Sequence, residues 1–248
     1  MSKIALVTGS SRGIGKAIAL ALAKDGYDII IHYRKEEDKA KNVAKEIETT
    51  GRKTYLVQGD IAKEADVKNI FAEVSKITDH LDILVNNAGF DYGLLIEDYT
   101  LDQMSEIVNL ILIGRFATTK YALPLLKMSS YPSVINIASR MGREKTIATV
   151  GPYAAAEAGV IKFTQCCALE FKKYGIRVNC VAPGLTDTEL TRNIIPDQSF
   201  WDLQAKNNPR GRVGSPQDIA NVVSFLASEK SDYIDGETIN VTGGSTLG

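Results

Sequence analysis

The segment Thr8-Gly9-Ser10-Ser11-Arg12-Gly13-Ile14-Gly15 constrains this chain more than any other. It follows a short β-branched run, Ile4–Thr8. It opens a stretch, Ile14–Lys24, in which Ile14, Ile18 and Leu22 recur at helical spacing. Glycines at such a point let the backbone turn tightly, and the following helix aims free N–H groups back at the turn. Strand, glycine turn and helix are the first half of a βαβ unit, and the rest of the chain repeats the alternation. Asp28–Ile31, Thr54–Val57, Asp82–Val85, Val134–Ala138, Arg177–Val181 and Thr238–Val241 read as further short buried strands. Helical stretches lie between them, such as Glu36–Thr50, which stops at Gly51. Short apolar strands separated by amphipathic helices predict a parallel sheet covered on both faces. Right-handed crossovers make it doubly wound. The predicted fold is α/β, a Rossmann-type doubly wound parallel sheet flanked by helices, in one domain spanning residues 1–248.

Composition narrows the function classes. A formal net charge of −1 offers no footprint for nucleic acid or an anionic membrane. Three cysteines, Cys166, Cys167 and Cys180, are odd in number and fit no zinc spacing, and His32 and His80 are far apart, so no metal site is expected. The opening Met1–Gly13 has too short an apolar run for a secretory signal, and no stretch reaches the roughly 18 apolar residues of a membrane span. The expectation is a reduced, cytoplasmic, soluble protein.

In a doubly wound sheet ligands bind outside the carboxyl ends of the strands. The glycine turn at the end of the first strand suits a pyrophosphate, because the backbone approaches closely and the helix N-terminus faces the anion. The second strand runs into His32-Tyr33-Arg34-Lys35. An acid at this strand end binds the ribose 2′-OH of NAD, whereas an arginine accommodates a 2′-phosphate. Arg34 stands there without an acid, and Arg12 in the turn adds a second cation. NADP(H) is the expected cofactor.

These residues also resemble a known family. Thr8–Gly15 matches the TGxxxGxG motif of short-chain dehydrogenases/reductases, and Asn86-Asn87-Ala88-Gly89 matches their NNAG motif. Asp60-Ile61 matches the pair that contacts adenine, Pro183-Gly184 the pair after the sixth strand, and Asn240–Gly244 the closing segment. The chain looks most like bacterial 3-oxoacyl-acyl-carrier-protein reductases and glucose dehydrogenases. The resemblance implies cofactor contacts at Gly9, Ser10, Ser11, Arg12, Gly13, Ile14, Gly15, Arg34, Asp60, Ile61, Asn87, Ala88, Gly89, Tyr153, Glu157, Pro183, Gly184, Thr186 and Thr188. It implies a carbonyl or alcohol substrate, with acyl-carrier protein as one carrier, and a homotetramer built on the long helices holding Ile111 and Tyr153.

The same resemblance implies a Ser, a Tyr, a Lys and an Asn as catalytic group. Ser139 and Tyr153 match the first two. Glu157 occupies the lysine position of the YxxxK motif, and Ile111 occupies the asparagine position in Ile111-Leu112-Ile113-Gly114-Arg115-Phe116. Two separate departures argue against a single introduced Lys→Glu change. Asn109 stands about 200° around a regular helix from position 111, and Lys162 lies about 180° around the helix from Tyr153, so neither substitutes. Lys145 reaches the site only by rearrangement.

In the family the lysine lowers the tyrosine pKa and binds the nicotinamide ribose, while the asparagine holds a water that relays protons to the lysine. A unit charge roughly 5 Å away at an effective dielectric near 20 is worth about 3 kcal/mol, or about two pKa units. A carboxylate at 157 therefore disfavours tyrosinate. Carbonyl reduction with impaired turnover is expected, and alcohol oxidation is expected to be poorer. Replacing Glu157 with lysine is expected to recover part of the rate, and adding Ile111→Asn to recover more than the sum. The alternative is a catalytically impaired NADP(H)-binding relative with a structural or regulatory role. Glu157 can accept hydrogen bonds from ribose hydroxyls. Thr188–Asn208 is expected to form a substrate lid, with Phe200 and Trp201 as apolar contacts.

Overall fold

A computed structural model describes residues 2–144 and 146–246. Seven parallel strands form one sheet: β1 (Ile4–Val7), β2 (Asp28–Tyr33), β3 (Thr54–Gln58), β4 (Ile83–Asn86), β5 (Ser133–Ile137), β6 (Arg177–Pro183) and β7 (Thr238–Val241). Their order is β3-β2-β1-β4-β5-β6-β7. All seven expected strands form, and β2 and β6 each run two residues further than their apolar runs suggest.

Both faces are covered, which is why the strands read as unbroken apolar runs. Ala5, Val7, Ile29, Ile31, Ile83 and Val85 pack against α1 (Gly13–Lys24), α2 (Glu37–Glu48) and α9 (Pro216–Ala227). On the other face Leu6, Ile30, Leu84 and Val134 meet α3 (Glu64–Ile77), α5 (Gly114–Leu126) and α6 (Gly151–Phe171). A fully buried Ile such as Ile30 contributes roughly 1.5–3 kcal/mol over leaving it in water.

The helix expected around Ile111 is not a uniform α-helix. Between α4 (Leu101–Val108) and α5, residues Asn109–Ile113 form a wide π turn, with the Gly114 N–H donating to the Asn109 carbonyl. The wider turn changes the angle per residue on which Asn109 was set aside. Even so, Asn109 is exposed and Ile111 is fully buried against Tyr99, Ala138, Ala156 and Val160. α5 and α6 are tied to the sheet by a buried amide network. Asn86 donates to Asn136 at 2.9 Å and to Thr119 at 3.0 Å, Thr118 donates to Asn86 at 2.6 Å, and Asn136 donates to Thr164 at 2.9 Å. Satisfied networks of this kind rigidify the elements they join. Among the described residues no helix is long and apolar enough to cross a membrane.

Candidate active site

The strand order reverses at β1, between β2 and β4, and a cleft of about 480 Å³ opens there at the carboxyl ends. The glycine turn forms one wall. Gly9 and Gly13 have φ of +65° and +57°, which L side chains rarely adopt. A Cβ on Gly15 would stand 2.4 Å from the Gly9 carbonyl, so α1 packs this close only with glycine there. Asn87 holds the turn from the neighbouring strand end, its Nδ2 donating to the Thr8 carbonyl at 2.9 Å. The Thr8 hydroxyl in turn accepts from the Asn87 and Ala88 N–H groups.

His32 braces the turn from beneath. Its Nδ1 accepts from the Gly9 N–H at 3.1 Å, which leaves Nε2 protonated to donate to the Gly59 carbonyl at 3.1 Å. Burial lowers its pKa from 6.5 to about 4, so the ring is neutral at pH 7. Ser10 departs from its expected role as a cofactor contact. It is fully buried, with its hydroxyl donating to the Val7 carbonyl and its N–H to the His32 carbonyl. The other residues expected in the site all line the cleft: Gly9, Ser11, Arg12, Gly13, Ile14, Gly15, Arg34, Asp60, Ile61, Asn87, Ala88, Gly89, Ser139, Tyr153, Glu157, Pro183, Gly184, Thr186 and Thr188.

One end of the cleft is cationic. Arg34 and Lys35 leave the end of β2, and Arg34 Nη1 lies 3.8 Å from Asp60 Oδ2. Arg12 Nη1 meets Glu189 Oε1 at 2.9 Å, and Lys39 Nζ meets the same oxygen at 2.8 Å. Arg12 thus ties the turn to the segment expected to form a lid, as well as adding positive charge.

The other end holds Ser139, Tyr153 and Glu157. Ser139 lies two residues past the end of β5, and its Oγ accepts from the Met141 N–H. Tyr153 and Glu157 stand one turn apart on α6. Beside them is a residue that the motif reading left out. Arg115, the second residue of α5, reaches Glu157 with Nη1 2.7 Å from Oε2 and Nη2 3.4 Å from Oε1. Arg115 is 1% exposed and Glu157 2%. Arg115 Nη2 also points at the Ala88 carbonyl at 3.5 Å, and its Nε has no hydrogen-bond partner among the described residues. Burial pushes the Glu157 carboxyl up, and the guanidinium opposes that shift. A guanidinium keeps its charge, and a neutral Glu157 would leave it buried and unpaired, so the pair is ionic at neutral pH. Burial first and the Glu157 carboxylate second raise the Tyr153 pKa above its ordinary value of 10.0, while the Ser139 hydroxyl and the Arg115 guanidinium pull the other way. Tyr153 is therefore a phenol, able to donate a proton, across the neutral range.

The segment expected to form a lid folds as two helices, α7 (Glu189–Ile194) and α8 (Gln198–Asn207), with Phe200 in the cleft wall. Trp201 is a packing residue instead. It is 2% exposed, its indole N–H donates to the Ile195 carbonyl at 2.8 Å, and the Arg192 guanidinium lies 4.0 Å over its ring. Lys162 is exposed and hydrogen-bonds Gln165, away from the site. Lys145 lies outside the described residues.

Comparison with known proteins gives this geometry a family. A family model described as Enoyl-(Acyl carrier protein) reductase matches residues 9–246. A 3-oxoacyl-[acyl-carrier-protein] reductase of Staphylococcus epidermidis is 37% identical over 244 residues, 98% of this chain and 99% of that protein. The reductase of the same name from Aquifex aeolicus is 37% identical over 243 residues, 98% of this chain and 96% of that protein. Among solved structures, a short chain dehydrogenase from Burkholderia cenocepacia in complex with NADP has a TM-score of 0.91 at 33% identity, covering 98% of this chain and 97% of that one. A gluconate 5-dehydrogenase from the same organism, in complex with NADP and tartrate, has a TM-score of 0.92 at 32% identity, covering 99% and 96%. With a strand order that brings these motifs to one cleft and likeness along nearly its whole length, the chain belongs to the short-chain dehydrogenase/reductase family of oxidoreductases.

Proposed function

We propose that the protein is an NADP(H)-dependent carbonyl reductase with slow turnover, working on a 3-oxoacyl-type substrate. The observation that carries this reading is one continuous cleft, with the glycine turn and Arg34 at one end and Ser139 with a protonated Tyr153 at the other. The walls fit a dinucleotide. The Gly9–Gly15 turn lines the cleft at the N-terminus of α1, with Gly9 and Gly13 at positive φ, which suits a pyrophosphate, and Arg34 lines the same cleft where a 2′-phosphate would lie. NADPH supplies the hydride when bound. Ser139 orients the substrate carbonyl, and Tyr153 donates the proton to its oxygen.

A raised Tyr153 pKa favours the direction in which the phenol gives up a proton. It disfavours alcohol oxidation, which starts from tyrosinate. Reduction also ends in tyrosinate, and Ile111 and Glu157 supply none of the lysine–water relay that would reprotonate it, so turnover is slow. The relatives named for acyl-carrier-protein substrates support a 3-oxoacyl thioester as the substrate class. The second reading, an NADP(H)-binding relative with a structural or regulatory role, draws on the same altered relay. We further propose a cytoplasmic protein acting as one domain and assembling as a homotetramer. Ile113, Phe116 and Leu169 on the π turn, α5 and α6 are 46%, 37% and 79% exposed and supply an apolar face for that assembly.

Calorimetric titration with NADPH and NADH tests the cofactor reading. NADPH is expected to bind at least tenfold more tightly; equal affinities or a preference for NADH would refute it.

A further inference from the structure

The Arg115–Glu157 pair lines the cleft, yet nothing in the fold alone asks for it. Burying two charges costs several kcal/mol of hydration, and a buried pair does little better than an apolar pair of similar volume. The two residues lie 42 positions apart on different helices and are brought together in a fork, with contacts of 2.7 and 3.4 Å. The buried amide network holds both helices to the sheet, so the pair is rigidly placed. It stands one turn along α6 from Tyr153 and reaches the Ala88 carbonyl after β4, in the cleft wall between the pyrophosphate turn and Ser139.

We propose that Arg115 is a positioning residue for Glu157, and that the carboxylate it aims is the recognition element for a hydroxyl of the nicotinamide ribose. This inference rests on the NADP(H) reading above and adds a residue to it. A carboxylate has about four lone-pair directions, and the guanidinium fork uses two of them. The rest face the cleft and the Tyr153 hydroxyl, and are suited to a ribose hydroxyl, which donates to them. The polarity is opposite to that of a lysine, which donates to the ribose. Arg115 keeps Glu157 charged and in one rotamer. Without it, a carboxyl this deeply buried shifts toward its neutral form, which has lost an acceptor.

Two ligands separate this role from a merely structural one. NADPH carries the nicotinamide ribose, and adenosine 2′,5′-bisphosphate lacks it while keeping the 2′-phosphate. Both are titrated at pH 6, 7 and 8 into the parent protein, Arg115→Met, Arg115→Lys and Glu157→Gln. Arg115→Met is expected to weaken NADPH about tenfold at pH 6 and less at pH 8, because the unpaired Glu157 ionises only as pH rises. Glu157→Gln is expected to weaken NADPH by a similar factor at every pH. Arg115→Lys keeps the cation and is expected to recover most of the affinity with a flat pH profile; it also serves as the folded test if the methionine variant does not fold. The bisphosphate is expected to bind all four proteins alike.

NADPH affinities of Arg115→Met and Glu157→Gln within twofold of the parent would overturn the proposal, and so would equal losses for both ligands. A parent protein that binds neither ligand would instead contradict the NADP(H) reading on which the proposal stands.

Discussion

Replacing Glu157 with lysine restores the family motif on paper, and the structure reverses the outcome expected from the motif. The new ammonium would enter a site where the Arg115 guanidinium already lies 2.7 and 3.4 Å from the carboxylate oxygens it replaces. Two cations roughly 4 Å apart at an effective dielectric near 20 repel by about 4 kcal/mol. Removing one partner of a buried pair costs about 3–5 kcal/mol before any repulsion is added. Bending of the lysine and loss of its proton recover part of this, leaving a net loss of about 5 kcal/mol. In a chain of this size 1 kcal/mol shifts Tm by about 2–4 °C, so Glu157→Lys is expected to melt roughly 10–20 °C below the parent and to gain no activity. Arg115→Met in the same chain removes the repulsion, and the double variant is expected to regain at least half of the lost Tm. Scanning calorimetry of the parent, both single variants and the double variant gives the coupling directly. A Glu157→Lys protein as stable as the parent, or a double variant no more stable than it, would refute the assignment of Arg115 as the partner. The gain expected from lysine, with or without Ile111→Asn, thus depends on first removing Arg115.

Three further outcomes follow from particular contacts. His32 is held neutral with its pKa lowered from 6.5 to about 4, so the stability it brings is complete above pH 6.5 and is lost as pH falls toward 4. The full swing is about 3 kcal/mol, and urea unfolding at pH 7.5, 6 and 5 should show a steeper loss in the parent than in His32→Gln; equal slopes would dismiss the bracing role. Arg34→Ala should cost NADPH at least tenfold in affinity and leave NADH within twofold, and a parallel loss for both would remove Arg34 from the 2′-phosphate site. Light scattering should give a tetramer, and Leu169→Glu should lower its mass; a monomeric parent at micromolar concentration would contradict the assembly.

The fold was legible because the five inner strands bury both faces, so their apolar runs stood out between helices, and because the glycine turn can serve few other purposes. Ser139 and Tyr153 were legible from their motifs, and the cleft brings them together. Ser10 was misread because a hydroxyl in a phosphate turn looks like a ligand, whereas its donor is used by the Val7 carbonyl. The π turn before α5 left no mark in the apolar pattern. Arg115 was missed because a single arginine on a helix ordinarily reads as solvated, and its partner is 42 residues away. One signal for it was present. Glu157 in a buried motif needs a cation, and Arg115 lies just past Ile111, in the segment that the motif itself places beside that site. His32 was read only as far from His80, with no metal site implied; that it would be buried between two backbone groups depended on the pairing of β2 with β1 and β3.

The most direct measurement of the central claim is NADPH oxidation followed at 340 nm with a panel of 3-oxoacyl thioesters and small ketones, with the corresponding alcohols and NADP+ run in reverse at pH 7. A typical enzyme turns over at ~10 s⁻¹. The expected result is measurable reduction of at least one 3-oxoacyl thioester at well under that rate, with alcohol oxidation slower still, because Tyr153 is held as a phenol beside Glu157. Turnover near ~10 s⁻¹ in either direction would contradict an impaired proton supply, and no NADPH oxidation by any carbonyl would contradict a reductase.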